Sequence, residues 1–200
     1  MADLTLKTFD CKIHTVHLSG DVDEAMFNTL NEKILEIEAA DNEVIYENTA
    51  VLGSLGIEVN IGRPKIVIYL STYGGVVYDG LAIYDLLKDV QKEYEIDLIC
   101  TGKIMSMGTI VMLAVDKDHR YAYKNTTFMI HQLSSMSFGK LADLKQDVNE
   151  CERLNDIVTD ILLTNTKITK KQLTDVYEKK KDWYFGAEEA KNMQMIKEVI

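Results

Sequence analysis

Position 106 holds a serine between two methionines, in "MSMGTI", where the strand-like run "IDLIC" (96–100) and Gly102 give way to the apolar run Val111–Val115. A hydroxyl at that junction has two uses. As a helix N-cap it accepts from a backbone N–H two or three residues on. As a nucleophile it needs a base for its proton and donors for the oxyanion, and the Met107 N–H at the helix start would point outward beside it. The segment is not a hydrolase elbow, since G-x-S-x-G requires glycine where Ile104 stands. The chain has four histidines. His131 ends the apolar run "TFMIHQ" and reads either as a general base on a rigid element or as a core-edge residue. His119, in "DKDHR", reads as a solvated surface residue. Cys11, His14 and His17 spell C-x-x-H-x-x-H, but strand residues three apart point to opposite faces, so no metal site is expected there. Gly74-Gly75 in "STYGGVV" follows a strand and precedes a helix. That is either a tight turn or a backbone cradle of oxyanion-hole type. It lacks the further glycine of a dinucleotide fingerprint and the Lys-Ser/Thr of a P-loop. Asp182 is one of 32 acidic residues and stands between lysines and the aromatics Trp183, Tyr184 and Phe185, which could partly bury it.

These residues need elements to hold them. "IHTVHL" (13–18) reads as a first strand. Met26, Phe27, Leu30, Ile34 and Ile37 then form a helical stripe. Residues 42–64, with glycines and the single proline Pro64, read as an inserted hairpin or lid. "KIVIYL" (65–70) has the look of a strand buried on both faces. Val76–Val90 is helical, 96–100 is a strand, and Ser106–Val115 is an apolar helix. "RYAY" and "FMIHQ" are strands around Lys124-Asn125-Thr126. Alternation of strand and helix with apolar strands argues for a mostly parallel α/β sheet. From Lys140 to about Thr166 the period is helical throughout, "TKKQ" (169–172) has the form of a capping box, and a short helix closes the chain from Ala187 to about Met193.

Composition narrows the classes of function. The chain has 200 residues, enough for one sizeable core, and is 46% hydrophobic and 27% charged. Its net charge of -10 repels phosphate backbones, so no nucleic-acid partner is expected. No apolar run reaches the ~18 residues of a membrane span. The N-terminus lacks a basic segment followed by an apolar one, so a cytoplasmic location is the expectation. Three scattered cysteines, Cys11, Cys100 and Cys151, suit free thiols in a reducing compartment. Neither a cofactor nor a metal is expected.

In order, "STYGG", "GLAIYDLL", "TGKIMSMGTIVMLA", "RYAYKNTTFMIHQ", "GKLADL" and "GAEEAKNMQMIKEVI" resemble the Clp protease proteolytic subunit, a serine peptidase of the crotonase-like superfamily. The likeness covers about residues 13–41 and 65–200. It implies an α/β fold of ClpP/crotonase type, with repeated β-β-α units and a projecting handle helix. The head would comprise 1–132 and 167–200, with 42–64 inserted, and the handle strand and long helix would occupy 133–166. The resemblance implies Ser106 as nucleophile, His131 as base, Asp182 as the acid orienting it, and the N–H groups of Gly75 and Met107 as the oxyanion hole. Residues 73–76 would take an extended peptide by strand addition. It further implies a homo-oligomer, a heptameric ring enclosing a chamber, which cleaves peptides or unfolded chains and can receive them from a ring ATPase unfoldase. The chain departs from the family pattern at several points. Tyr73 precedes the glycines where a proline is usual, and Leu133 replaces the proline after His-Gln. Lys180-Lys181 replaces an acid–arginine pair tied to ring stacking, which leaves a double ring open. Tyr69 keeps an aromatic of the ATPase-docking pocket, but Val67 replaces a second. Divergent forms of this kind occur in phages. The alternatives to an ATP-independent serine endopeptidase are therefore a non-catalytic or capsid-maturation-related assembly subunit, or an acyl-CoA enzyme of crotonase type, which has no use for a serine–histidine pair.

Overall fold

The structure, a computed structural model, describes residues 13–200 apart from Val59 and Lys180. Cys11 of the C-x-x-H-x-x-H pattern and Lys180 of the lysine pair lie outside the described residues. The elements follow the alternation expected from sequence. Strand β1 (Ile13–Val22) leads to helix α1 (Glu24–Ser54), β2 (Lys65–Gly75) to α2 (Val77–Val90), and β3 (Ile96–Met105) to α3 (Met107–Leu113). Short strands β4 (Arg120–Ala122) and β5 (Thr127–Ile130) come next, then α4 (Leu141–Asn165), α5 (Lys170–Glu178), β6 (Trp183–Gly186), α6 (Ala187–Asn192) and β7 (Glu198–Val199).

Among the described residues, seven strands make one sheet in the order β1-β2-β3-β4-β7, with β5 pairing both β3 and β6. Every pairing is parallel except β5 with β6. "RYAY" and "FMIHQ" are strands, as expected, yet they do not pair with each other. β4 takes the first half of β3 at Leu98–Cys100 and β5 takes the second at Lys103–Met105. The step between them is closed by Thr126 Oγ1 and the Tyr123 N–H, which both donate to the Cys100 carbonyl at 3.0 and 3.1 Å. Val16, Leu18, Ile66, Ile68, Leu70, Ile96 and Leu98 share the core with α1, α2 and α3.

Strand β2 is not buried on both faces. Its residues alternate, Ile66, Ile68 and Leu70 fully buried, Val67 and Tyr69 half-buried. The helices cover one face of the sheet, so a continuous apolar run ends with only every second side chain inside.

The segment 42–64 is not a hairpin or lid. Helix α1 runs without a break to Ser54. Val44, Ile45, Asn48, Val51 and Leu52 continue a helical stripe, with Asn48 buried. The glycines end the helix instead of interrupting it. Gly56 has φ +73°, its N–H donates to the Gly53 carbonyl, and the Ile57 N–H donates to the Leu52 carbonyl, both at 3.0 Å. These are the two bonds of a Schellman stop. At the base of the extension, Asp41 is buried and receives bonds from His14 Nε2 (3.0 and 3.1 Å) and Tyr94 OH (3.1 Å). Arg63 returns to bind Tyr94 OH and Asn42, each at 2.8 Å.

Helix α4 buries only Leu154, Val158 and Leu162, all in its second half. Its first half projects, with Leu141 and Val148 exposed. Residues 131–140, where the handle strand is expected, carry no strand in the single chain.

Candidate active site

Ser106 closes β3 and caps α3, but its hydroxyl makes no capping bond. Instead Oγ lies 2.8 Å from His131 Nε2. The strand register brings the two together. Met105 pairs with Met129, so the next residues along the parallel pair, Ser106 and Ile130, run level, and His131 follows. The Ser106 N–H donates to the Met129 carbonyl at 2.9 Å. The Ser106 carbonyl accepts from the Thr109 N–H at 2.9 Å and from Thr109 Oγ1 at 2.7 Å. These bonds hold Ser106 at φ 51°, ψ −124°, a conformation that non-glycine residues adopt only where neighbours fix it, at a cost on the order of 1–3 kcal/mol.

A second register places the acid. β5 and β6 run antiparallel with Ile130 opposite Trp183, so His131 and Asp182 face each other one step further on. His131 Nδ1 and Asp182 Oδ1 are 3.7 Å apart, longer than a hydrogen bond. The aromatics after Asp182 do not bury it. Phe185 stacks on Phe128 at 5.6 Å and Trp183 tilts onto Phe185, which locks β6 to β5 while the Asp182 side chain stays 51% exposed.

The glycine pair lies against the serine. A side chain at Gly74 would meet Ser106 Cβ at 2.6 Å, the Met105 carbonyl at 2.7 Å and Met107 N at 3.0 Å. One at Gly75 would strike the Val22 carbonyl at 2.2 Å. The sequence marked the Gly74-Gly75 pair, and the family resemblance implied Gly75 as the oxyanion donor. Gly74, at φ +97°, is the residue whose missing Cβ lets the turn approach Ser106 and Met107. Thr109 and Met129, which fix the serine backbone, were also missed, because nothing in local sequence marks a residue whose carbonyl or hydroxyl serves a neighbour across the sheet.

The other histidines stand apart. His14 is engaged by Asp41, and His17 stacks on Tyr69 with ring centroids 5.0 Å apart, so the two do face opposite sides of β1. His119 is not simply solvated. Its Nδ1 lies 2.7 Å from Asp97 Oδ1. Glu95, Asp97 and His119 bring their ligand atoms within 4.8 Å of one another, but Lys65 Nζ pairs with both carboxylates. An ammonium there supplies the positive charge a cation would bring.

The mixed α/β sheet and its helices have a ClpP/crotonase-like fold, as a solved structure shows. The solved structure of the ClpP1 N165D mutant from Listeria monocytogenes superposes with a TM-score of 0.73 at 21% identity, covering 94% of this chain and 91% of that one. The sequence profile of the family described as Clp protease matches residues 26–200. The ATP-dependent Clp protease proteolytic subunit of Deinococcus radiodurans is 33% identical over 153 residues, 76% of this chain and 73% of that protein. The protein of the same name from Dehalococcoides mccartyi is 28% identical over 171 residues, 86% and 83% of the two chains. The chain belongs to the Clp protease family. Among the described residues, no helix is long and apolar enough to cross a membrane.

Proposed function

We propose that the protein is a serine endopeptidase of ClpP type. The observation that carries this reading is the 2.8 Å contact between Ser106 Oγ and His131 Nε2, on a serine held at positive φ with its hydroxyl released from capping. In this mechanism Ser106 Oγ attacks the peptide carbonyl carbon and His131 Nε2 takes the hydroxyl proton. Asp182, beside Nδ1, favours the imidazolium that results. The N–H groups of Gly75 and Met107 receive the oxyanion. His131 returns its proton to the leaving amine, and water then hydrolyses the acyl-enzyme ester by the same proton path in reverse. The bond-breaking step uses no nucleotide. An extended peptide would lie along residues 73–76 as an added strand. The working form would be a homo-oligomeric ring, heptameric as in the family, supplied with unfolded chains by a ring ATPase.

A second reading is an assembly subunit without peptidase activity, favoured by the 3.7 Å gap and open exposure of Asp182. A fluorophosphonate probe separates the two. Under the peptidase reading it labels wild-type protein at Ser106, and Ser106→Ala abolishes both labelling and peptide cleavage. Assembled wild-type protein that takes no label and cleaves no peptide would establish the assembly reading.

A further inference from the structure

Ser106 and His131 line a cavity of about 20 Å³ together with Met107, Thr109, Ile110, Ile130, Val158, Leu162 and Leu133. Apart from Ser106, His131 and Leu133, these lining residues are all buried and belong to the core or to helices packed on it. They cannot withdraw without opening a void. Leu133 is different. It is half-buried and sits on the segment 131–140, outside any helix or strand. It also lines two larger cavities, of about 460 and 350 Å³. One side chain is therefore shared by a very small pocket at the serine and two larger cavities.

We infer that Leu133 limits the residue on the acyl side of the scissile bond, P1, to a methyl-sized side chain. The inference rests on the peptidase reading. A carbonyl attacked by Ser106 must present its own residue's side chain next to the serine, and the apolar cavity that Ser106 and His131 line is the space there. Its volume is close to the ~10–15 Å³ that a single water-sized sphere occupies, so alanine fits and leucine or phenylalanine does not. Close-packed walls resist extra methylenes. Shortening Leu133 removes a side chain that all three cavities share, which enlarges the pocket at the serine.

The test uses fluorogenic peptides identical except for glycine, alanine, leucine or phenylalanine at P1, on the assembled wild type, Leu133→Ala and Leu133→Val. Wild type is expected to favour alanine over leucine and phenylalanine by about tenfold or more in kcat/KM. Leu133→Ala is expected to shift the leucine-to-alanine ratio about tenfold or more toward leucine, with Leu133→Val between the two. Equal cleavage of leucine and alanine peptides by wild type, or variants that change all substrates in the same proportion, would overturn the inference. Fluorophosphonate labelling does not depend on P1. Labelling together with an absent size preference removes this inference and leaves the peptidase reading. Absent labelling and absent cleavage remove both.

Discussion

His14–Asp41 and His131–Asp182 are both histidine–aspartate pairs, and their surroundings are opposite. Asp41 is 2% exposed, holds His14 through both oxygens at 3.0 and 3.1 Å, and takes a third bond from Tyr94. Asp182 is half exposed and stands 3.7 Å from its histidine, whose other nitrogen meets a serine. A buried carboxylate is tolerable only when its oxygens are bonded, and once they are, the pair is a fastener. It ties the middle of α1 to β1 and to the Arg63–Tyr94 corner. An imidazole that must gain and lose a proton has different needs. Partial exposure lowers the cost of its charged form, and a loosely placed carboxylate can follow it. Tight geometry thus marks the pair that holds the fold, and looser geometry fits the chemistry proposed for the other.

The sharpest way to break this contrast is to disable the open pair's acid. Asp182→Asn is expected to lower kcat/KM for peptides by about 10²–10⁴-fold, since the amide no longer favours imidazolium. The thermal midpoint should move little, because the side chain is exposed and makes no short bond among the described residues. Steady-state kinetics and a melting curve on the same preparation read both quantities. Undiminished cleavage would show that Asp182 does not serve His131, and a large drop in melting temperature would show that the open pair is structural after all.

The contrast was only partly legible in the sequence. Ser106, His131 and Asp182 could be named, but their meeting depends on two strand registers, β3 with β5 and β5 with β6, that no local pattern encodes. The pair at His14 and Asp41 was missed entirely. Asp41 sits where a stripe of clear periodicity passes into "NEVIYENTAVLGS", and asparagine, threonine and glycine there resembled a loop. Burial of Asp41 and Asn48 overrides those local preferences, and tertiary context commonly does this to weak propensity. Tyr69 and Val67 were misjudged for the opposite reason. β-branched and aromatic composition reports strand well, but cannot say whether one face or both are covered. His119 looked solvated because its partners Glu95 and Asp97 lie more than twenty residues earlier. Where sequence succeeded, as in the Thr169–Gln172 capping box, both partners lie within one turn.

A smaller effect is expected from the buried pair. Asp41→Ala leaves His14 and the Tyr94 hydroxyl without this acceptor, and the buried group left unpaired costs about 1–3 kcal/mol. Urea denaturation should show that loss, while peptide cleavage per folded molecule, measured well below the midpoint, stays near wild type. A variant with unchanged stability would mean that the fastener is redundant. Loss of activity in the folded fraction would mean that the two pairs are coupled through β1 and the sheet.

The smallest effect refines the same corner by pH. Burial, and then the Asp41 charge, push the Tyr94 phenol from its ordinary 10 up to about 12. The neutral phenol is therefore favoured in the folded chain. The stability this contributes is complete below pH 10 and is lost as pH climbs from 10 toward 12. Tyr94→Phe removes the titrating group and its bond, at a neutral-pH cost of about 1 kcal/mol. Lys65, also raised to about 12 by Glu95 and Asp97, weakens the fold over the same alkaline range, so total loss is not the readout. The readout is the difference between wild type and Tyr94→Phe in urea midpoint from pH 8 to 11.5. That difference should shrink above pH 10. If it stays constant across the range, the Tyr94 hydroxyl does not titrate against Asp41, and the closed pair is held by packing instead of by its charge.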